Sequence, residues 1–499
     1  MQQSAIPSTD RTFQTPSWVQ DAIFYQIFPD RFAISSAVPK PANLEDWNEP
    51  PTIHGFKGGD LLGVVERLDY LQDLGVNAIY FCPVFKSSAN HRYHTYDYYT
   101  IDPILGGNEA FARLLNEAHR RSIRVVLDGV FNHCGRGFFQ FNSILENGSS
   151  SPYLDWFSIY SWPLSPYGPG GQAPGYAAWW SDPALPKFNT RTQAVREFLW
   201  NVGQYWIEQG VDGWRLDVPN EIDDDDFWRE FRRRVKNANS DAYIVGEIWG
   251  DATRWLQGDQ FDAVMNYPFA KACLGFFSSV HGLDASTIQG TGLNSVDPLS
   301  AEDFQHVVEG LLGRHPWQAT LAQLNLLDSH DTARFLTMAR GDESALRLAM
   351  LFQMTFPGAP CTYYGDEIGM TGGTTVEEAR GGFVWDRSKW NMELHDYLKN
   401  CIALRHAHPV LRYGGYQSLF AGGGVYAFAR RLGEDLALVA FNAGDTERTI
   451  EVAMPGDIDH ESVRAAWGPQ SFTARDGSVN SWQIPARSGS VLVARAHAQ

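Results

Sequence analysis

Cysteine is scarce in this chain: five in 499 residues, Cys82, Cys134, Cys273, Cys361 and Cys401, odd in number and far apart. That excludes a disulfide framework, and the absence of any paired spacing excludes a zinc or dithiol motif, so they read as buried or incidental thiols. Long apolar runs are missing too, none approaching the roughly 20 residues that a membrane-spanning helix needs. The start, Met1 to Val19, has no basic segment followed by an apolar run, so no secretory signal is read and a cytoplasmic location is expected. Basic residues are outnumbered, 40 Lys and Arg against 58 Asp and Glu, for a formal charge of −18. A surface of that sign repels nucleic acid and anionic lipid, so neither a nucleic-acid partner nor a membrane is expected, and the ligand should be neutral or cationic. There is no internal repeat and no low-complexity tract.

What is present is the composition of a soluble globular enzyme, 44% hydrophobic and 20% charged. Short apolar runs alternate with longer segments of helical period, the pattern of repeated β-α units around a parallel sheet. Strands are expected at Ala22–Phe28, Val76–Phe81, Ile123–Leu127, Gly213–Leu216, Tyr243–Gly246, Ala263–Met265, Ala322–Leu326 and Pro360–Tyr364. Helices are expected at Leu62–Leu74, Glu109–Arg121, Thr192–Gln209, Asp225–Asn237, Ala301–Gly313 and Glu343–Phe356. The fold class that follows is α/β, a (β/α)8 TIM barrel over residues 1–133 and 190–410. From 134 to 189 the chain is rich in Gly, Pro, Ser and Trp without helical period, which reads as a domain inserted after the third strand. Beyond about Leu411 short alternating runs separated by Gly and Asp turns predict an antiparallel β-sandwich over 411–499.

In such barrels catalytic groups stand where strands end. The third strand runs into Asp128-Gly129-Val130-Phe131-Asn132-His133, the fourth into Arg215-Leu216-Asp217, the fifth into Glu247-Ile248-Trp249, and the seventh into Asp328-Ser329-His330-Asp331. A lone Asp at a strand end often only caps the next helix, but four strands crowned at one barrel face suggest a site. Glycosidic cleavage needs one carboxylic acid to protonate the leaving oxygen and one carboxylate to attack or to activate water. Asp217 and Glu247 lie on adjacent expected strands. Arg215, two residues before Asp217, points to the same side of its strand and favours the ionised form of Asp217. Glu247, flanked by Ile248 and Trp249, is given the more apolar surroundings that suit an acid.

These four segments, in this order, resemble the signature regions of glycoside hydrolase family 13, the α-amylase family, over roughly residues 20 to 410. The resemblance is nearest to its neopullulanase, cyclomaltodextrinase and maltogenic amylase branch, on Asp217-Val218-Pro219-Asn220-Glu221 and Leu185-Pro186-Lys187-Phe188-Asn189. It implies Asp217 as nucleophile, Glu247 as general acid/base, and Asp331 as a carboxylate that holds substrate hydroxyls. It implies that Arg215, His133 and His330 bind the nucleophile or the hydroxyls of the cleaved sugar, with Asn132 and Asp128 in support. In Asn90-His91-Arg92-Tyr93-His94-Thr95, Tyr93 is similar to the ring that stacks on that sugar and His91 to the group that reaches its 6-hydroxyl. Asn220, Glu221 and Trp249 match positions near the acceptor sugar, a capping or packing role being the alternative.

The activity implied is retaining hydrolysis of α-1,4, and in part α-1,6, glucosidic bonds of maltooligosaccharides, short starch, pullulan or cyclodextrins. Two rivals stay open at this point: a transglycosidase or isomerase such as a trehalose synthase, and a catalytically inactive glycan-binding partner protein. Members of the branch usually carry a β domain before the barrel; with the barrel expected from near Asp21, that domain is expected to be missing here. Whether the chain is a monomer or a homo-oligomer stays open. Pro219 replaces the usual Ala and His94 the usual Asp, which points to a retuned acceptor side. No cofactor is expected to be required, calcium staying possible on weak support: the loop Ala33-Ile34-Ser35-Ser36 lacks the Asn/Asp-rich pattern that many relatives use for calcium, and Gly59 and Asp60 resemble only the other half of that site. The acidic run Asp223 to Asp226 reads as a solvated helix start.

Overall fold

The computed structural model describes residues 13–168, 174–454, 458–468, 471–475 and 477–495. Two compact units are distinguished, residues 24–265 with 380–383, and residues 1–23 with 266–379 and 384–499.

The first unit holds six parallel strands, β1 (Phe24–Ile27), β2 (Ala78–Phe81), β3 (Arg124–Gly129), β4 (Gly213–Leu216), β5 (Tyr243–Gly246) and β6 (Ala263–Val264). Each pairs in parallel with the next, and the register sets Leu127 beside Trp214 and Leu216 beside Gly246. Apart from Arg124 at the edge of β3, every residue of these strands is buried, as expected of a parallel sheet covered on both faces. In the second unit β7 (Leu324–Leu326) and β8 (Ala359–Tyr363) pair in parallel. Hydrogen bonding makes one eight-stranded sheet in the order β6-β5-β4-β3-β2-β1-β8-β7, the strand order of a (β/α)8 barrel.

The connecting helices begin where the sequence supplies caps. Helix α1 (Leu61–Glu66) is capped by Asp60, whose carboxylate accepts from the Gly63 amide. It is followed by α2 (Leu68–Leu74), so the single helix expected over Leu62–Leu74 is broken at Arg67, whose backbone leaves the helical region at φ −112° and ψ 3°. Gly75 then closes α2 in the left-handed conformation, φ 98°, and returns the chain to β2. Helices α3 (Gly107–Arg120), α5 (Gln193–Glu208) and α6 (Asp225–Ala238) lie within about two residues of the spans expected. So do α8 (Ala301–Arg314) and α9 (Glu343–Thr355). Asp224 caps α6 through the Phe227 amide, and Asp225 and Asp226 fill its first turn, which accounts for the acidic run. Helix α7 (Tyr267–Phe277) and α10 (Met392–Ala407) complete the set used below.

Within residues 134–189, read as lacking helical period, the chain forms a helix, α4 (Phe139–Asn147). Only Phe141 and Ile144 of that helix are buried, and Phe141 packs edge-on against Phe157 and Tyr176, ring centroids 4.9 and 4.8 Å away. Tertiary contact, not sequence period, holds it. Beyond residue 414 the chain is antiparallel: β9 (Gly415–Gly422), β10 (Val425–Leu432), β11 (Asp435–Asn442), β12 (Arg448–Ala453), β13 (Arg464–Trp467), β14 (Thr473–Arg475), β15 (Ser478–Ile484) and β16 (Ser488–Arg495). They form a five-stranded sheet, β9-β10-β11-β16-β13, and a three-stranded sheet, β12-β15-β14, around one apolar cluster that includes Leu438, Ile450, Trp482 and Leu492.

Candidate active site

The ends of β3, β4 and β5 carry one continuous charge network. At the end of β4 the fully buried guanidinium of Arg215 donates through Nη1 to both oxygens of Asp128 on β3, each at 2.9 Å, and to Asp217 Oδ1 at 3.0 Å. Its Nη2 lies 3.0 Å from Glu247 Oε2, just past β5. One cation therefore touches carboxylates from three neighbouring strands. Burial opposes the charge of Arg215, but Asp128 and Glu247 outweigh it and hold the guanidinium ionised. An Arg fork can do this where a Lys point charge cannot.

Asp128 is also the acceptor for two phenols, Tyr80 from β2 at 2.9 Å and Tyr93 at 3.0 Å. Burial pushes the Asp128 carboxyl upward, against the pull of Arg215 and of these hydrogen bonds. Tyr80 was not expected: β2 ends without an acid, so nothing at that strand end marked it. Tyr93 stacks on His91 with centroids 5.8 Å apart, and its amide donates to His91 Nδ1, leaving Nε2 as the nitrogen that carries the proton. His94 meets the edge of His91 at 4.8 Å, and burial pushes it down to about 4, so it is neutral where the family pattern has a charged Asp.

Glu247 differs from its expectation. Its Oε2 accepts from the Val218 amide at 3.1 Å besides facing Arg215, and its Oε1 accepts from Trp249 Nε1 at 3.0 Å. The apolar surroundings inferred from Ile248 and Trp249 are thus replaced by a polar set, because Trp249 turns its indole N–H inward. Val218 reaches Glu247 by taking a left-handed backbone, φ 36° and ψ 51°, costly for a β-branched residue.

His133 is buried, and burial pushes it down to about 3, so it stands as a neutral imidazole. Asn132 Nδ2 lies 3.2 Å from His133 Nδ1, and Tyr98 holds the turn by donating to the carbonyls of Val130 and His133. Of the residues matched to the acceptor side, Trp249 touches Glu247, Glu221 pairs with Lys187 at 2.9 Å, and Asn220 is exposed. Pro219 opens the short turn that carries Asn220 and Glu221.

In the other unit, after β7, His330 is buried with Nε2 3.1 Å from Asp331 Oδ2, while the Asp331 side chain is 28% exposed. The Asp331 amide donates to Ser329 Oγ, which lies 3.1 Å from the Tyr267 hydroxyl. Beneath this turn Asp328 accepts from the Phe335 amide, and Arg334 pairs with Asp366 at 2.9 Å. Burial first, then the charge of Asp328, pushes the Asp366 carboxyl well up against the pull of Arg334, and burial pushes Asp328 up as well.

The calcium half-site does not fit a hard cation. Asp60 Oδ1 accepts from Gly63, and Oδ2 accepts from the Ser35 amide at 2.9 Å and faces Lys40 Nζ at 2.9 Å. The ammonium of Lys40, anchored also on the Ile104 carbonyl, supplies the positive charge there. Asp30 is likewise taken up by Arg31 and by the amides of Lys57 and Gly58. All five cysteines are buried free thiols. Among the described residues no helix is long and apolar enough to cross a membrane.

A family model described as the alpha-amylase catalytic domain matches residues 26–384. The chain is 46% identical over 453 residues to a cyclomaltodextrinase of a Bacillus species, covering 89% of this chain and 77% of that protein. It is 44% identical to neopullulanase 2 of Thermoactinomyces vulgaris, covering 89% and 73%. A solved Nostoc punctiforme debranching enzyme superimposes with a TM-score of 0.86 at 47% identity, covering 96% of this chain and 99% of that one. With its parallel eight-stranded sheet and its carboxylates at the strand ends, the chain belongs to the alpha-amylase family of glycoside hydrolases.

Proposed function

We propose that this chain hydrolyses α-1,4 glucosidic bonds of maltooligosaccharides, and α-1,6 bonds of short branched glucans, with retention of configuration. The observation that carries the reading is the single guanidinium of Arg215 held between Asp217 and Glu247. Neighbouring parallel strands stand about 4.8 Å apart, and a retaining pair requires carboxyl groups about 5–5.5 Å apart. In this reading Asp217 attacks the anomeric carbon while Glu247 gives its proton to the leaving oxygen. Glu247 then takes a proton from water, which displaces Asp217 and frees the sugar.

Arg215 holds Asp217 at a fixed angle, and Asp128 in turn holds Arg215. Asp331 and His330 bind sugar hydroxyls, and Tyr93 offers its ring face to the sugar with His91 Nε2 beside it. Asn132 and His133 complete that wall; Asn220, Glu221 and Trp249 border the acceptor. The relatives are named for hydrolysis of cyclic or branched glucans, which favours a hydrolase over an isomerase and supports α-1,6 cleavage here. No metal is assigned a role, since Lys40 already charges Asp60. A cytoplasmic location is proposed on the five buried free thiols, which suit a reducing compartment. A product profile over maltotriose, pullulan and β-cyclodextrin tests the reading: glucose and maltose are expected, and disaccharide isomers without free glucose would overturn it.

A further inference from the structure

His133, at the end of β3, begins a column of parallel rings. Trp179 lies against it with centroids 5.1 Å apart and planes within 10°, and Trp180 lies against Trp179 at 4.4 Å and 14°. The outermost ring is bare: Trp180 is 82% exposed. It is also set there at a conformational cost, because Trp180 (φ 49°) and Ser181 (φ 58°) both take the left-handed backbone that side-chain-bearing residues avoid. Packing does not explain the arrangement, since one face of Trp180 meets Trp179 and the other meets water.

We propose that Trp180, backed by Trp179, forms a binding platform for a glucosyl ring of an α-glucan chain, beyond the sugar that is cleaved. The inference rests on the reading of the chain as an α-glucan hydrolase. A pyranose presents a C–H face that lies flat on an indole, and Trp180 offers a bare indole face here. The column starts at a residue already placed on the wall of the cleaved sugar, so a chain threaded along it reaches Trp180 only when it is long enough. The platform therefore selects for length.

The test compares the full chain with W180A and W180F on maltotriose and on maltoheptaose. In W180A the ratio of kcat/KM for maltoheptaose to that for maltotriose is expected to fall about tenfold, chiefly through KM, and in W180F to recover most of that loss. Intrinsic fluorescence of the D217N protein should be quenched by maltoheptaose, and the same titration in D217N carrying W180A should show that quenching much reduced. An unchanged ratio, or an equal loss at both lengths, overturns the platform; so does a change in sedimentation with the ratio intact, which makes Trp180 a contact between copies. If the parent hydrolyses neither sugar, the proposed function fails, and the fluorescence titration still decides the platform by itself.

Discussion

Nη2 of Arg215 lies 3.0 Å from Oε2 of Glu247, although the two residues belong to different strands and are 32 positions apart. The same guanidinium reaches Asp217 at 3.0 Å, so the proposed attacking and protonating groups share one buried anchor. Three carboxyl groups face one cation, and a guanidinium is suited to them because it offers several donors in one plane.

Replacing Arg215 by Lys keeps the charge and removes the fork. R215K is expected to lower kcat on maltotriose by about a hundredfold, about 2.7 kcal/mol of transition-state stabilisation, with a smaller change in KM. Steady-state kinetics on protein of unchanged circular dichroism checks this; a kcat within threefold of the parent would speak against the anchor.

Glu247 is assigned the proton that the leaving oxygen takes. E247Q should therefore lose about a thousandfold or more on maltotriose but far less on α-maltosyl fluoride, whose leaving group needs no proton. Equal losses on the two substrates would remove Glu247 from that role.

Asp366 supplies a pH dependence of stability with a definite sign. Its folded pKa is raised above the unfolded value, so the stability it contributes is fully present below the ordinary carboxylate pKa and is lost as pH rises through the folded one. D366N keeps a neutral donor towards Asp328 at every pH. The difference in Tm between D366N and the parent should thus become more positive as pH rises above the ordinary carboxylate pKa of about 4. A flat or falling difference would contradict the raised pKa of Asp366.

Lys40 is predicted to replace a metal in holding its loop. K40M leaves Asp60 buried without its cation and should cost on the order of 3 kcal/mol, read as a fall in Tm. The parent should keep its Tm in EDTA. A parent destabilised by chelation would show that a cation binds after all.

Much of this was legible in the chain because parallel strands buried on both faces leave short, largely apolar runs, and Asp217 and Glu247 follow such runs directly. Residues joined across long separations were not. Tyr80 meets Asp128 over 48 positions, and Lys40 meets Ile104 over 64, with no local pattern to announce either. Helix α4 was hidden because packing against Phe157 and Tyr176, not period, makes it a helix. Trp249 misled for a related reason: an aromatic neighbour reads as apolar, yet its N–H is what faces Glu247.

The identity of the nucleophile is tested most directly by trapping it. Incubation of the full chain with a 5-fluoro-glucosyl fluoride, which forms the covalent intermediate faster than water breaks it, should inactivate the enzyme and place one glycosyl mass on the peptide that contains Asp217. A label on any other residue, or unlabelled Asp217 in a fully inactivated enzyme, would contradict the account.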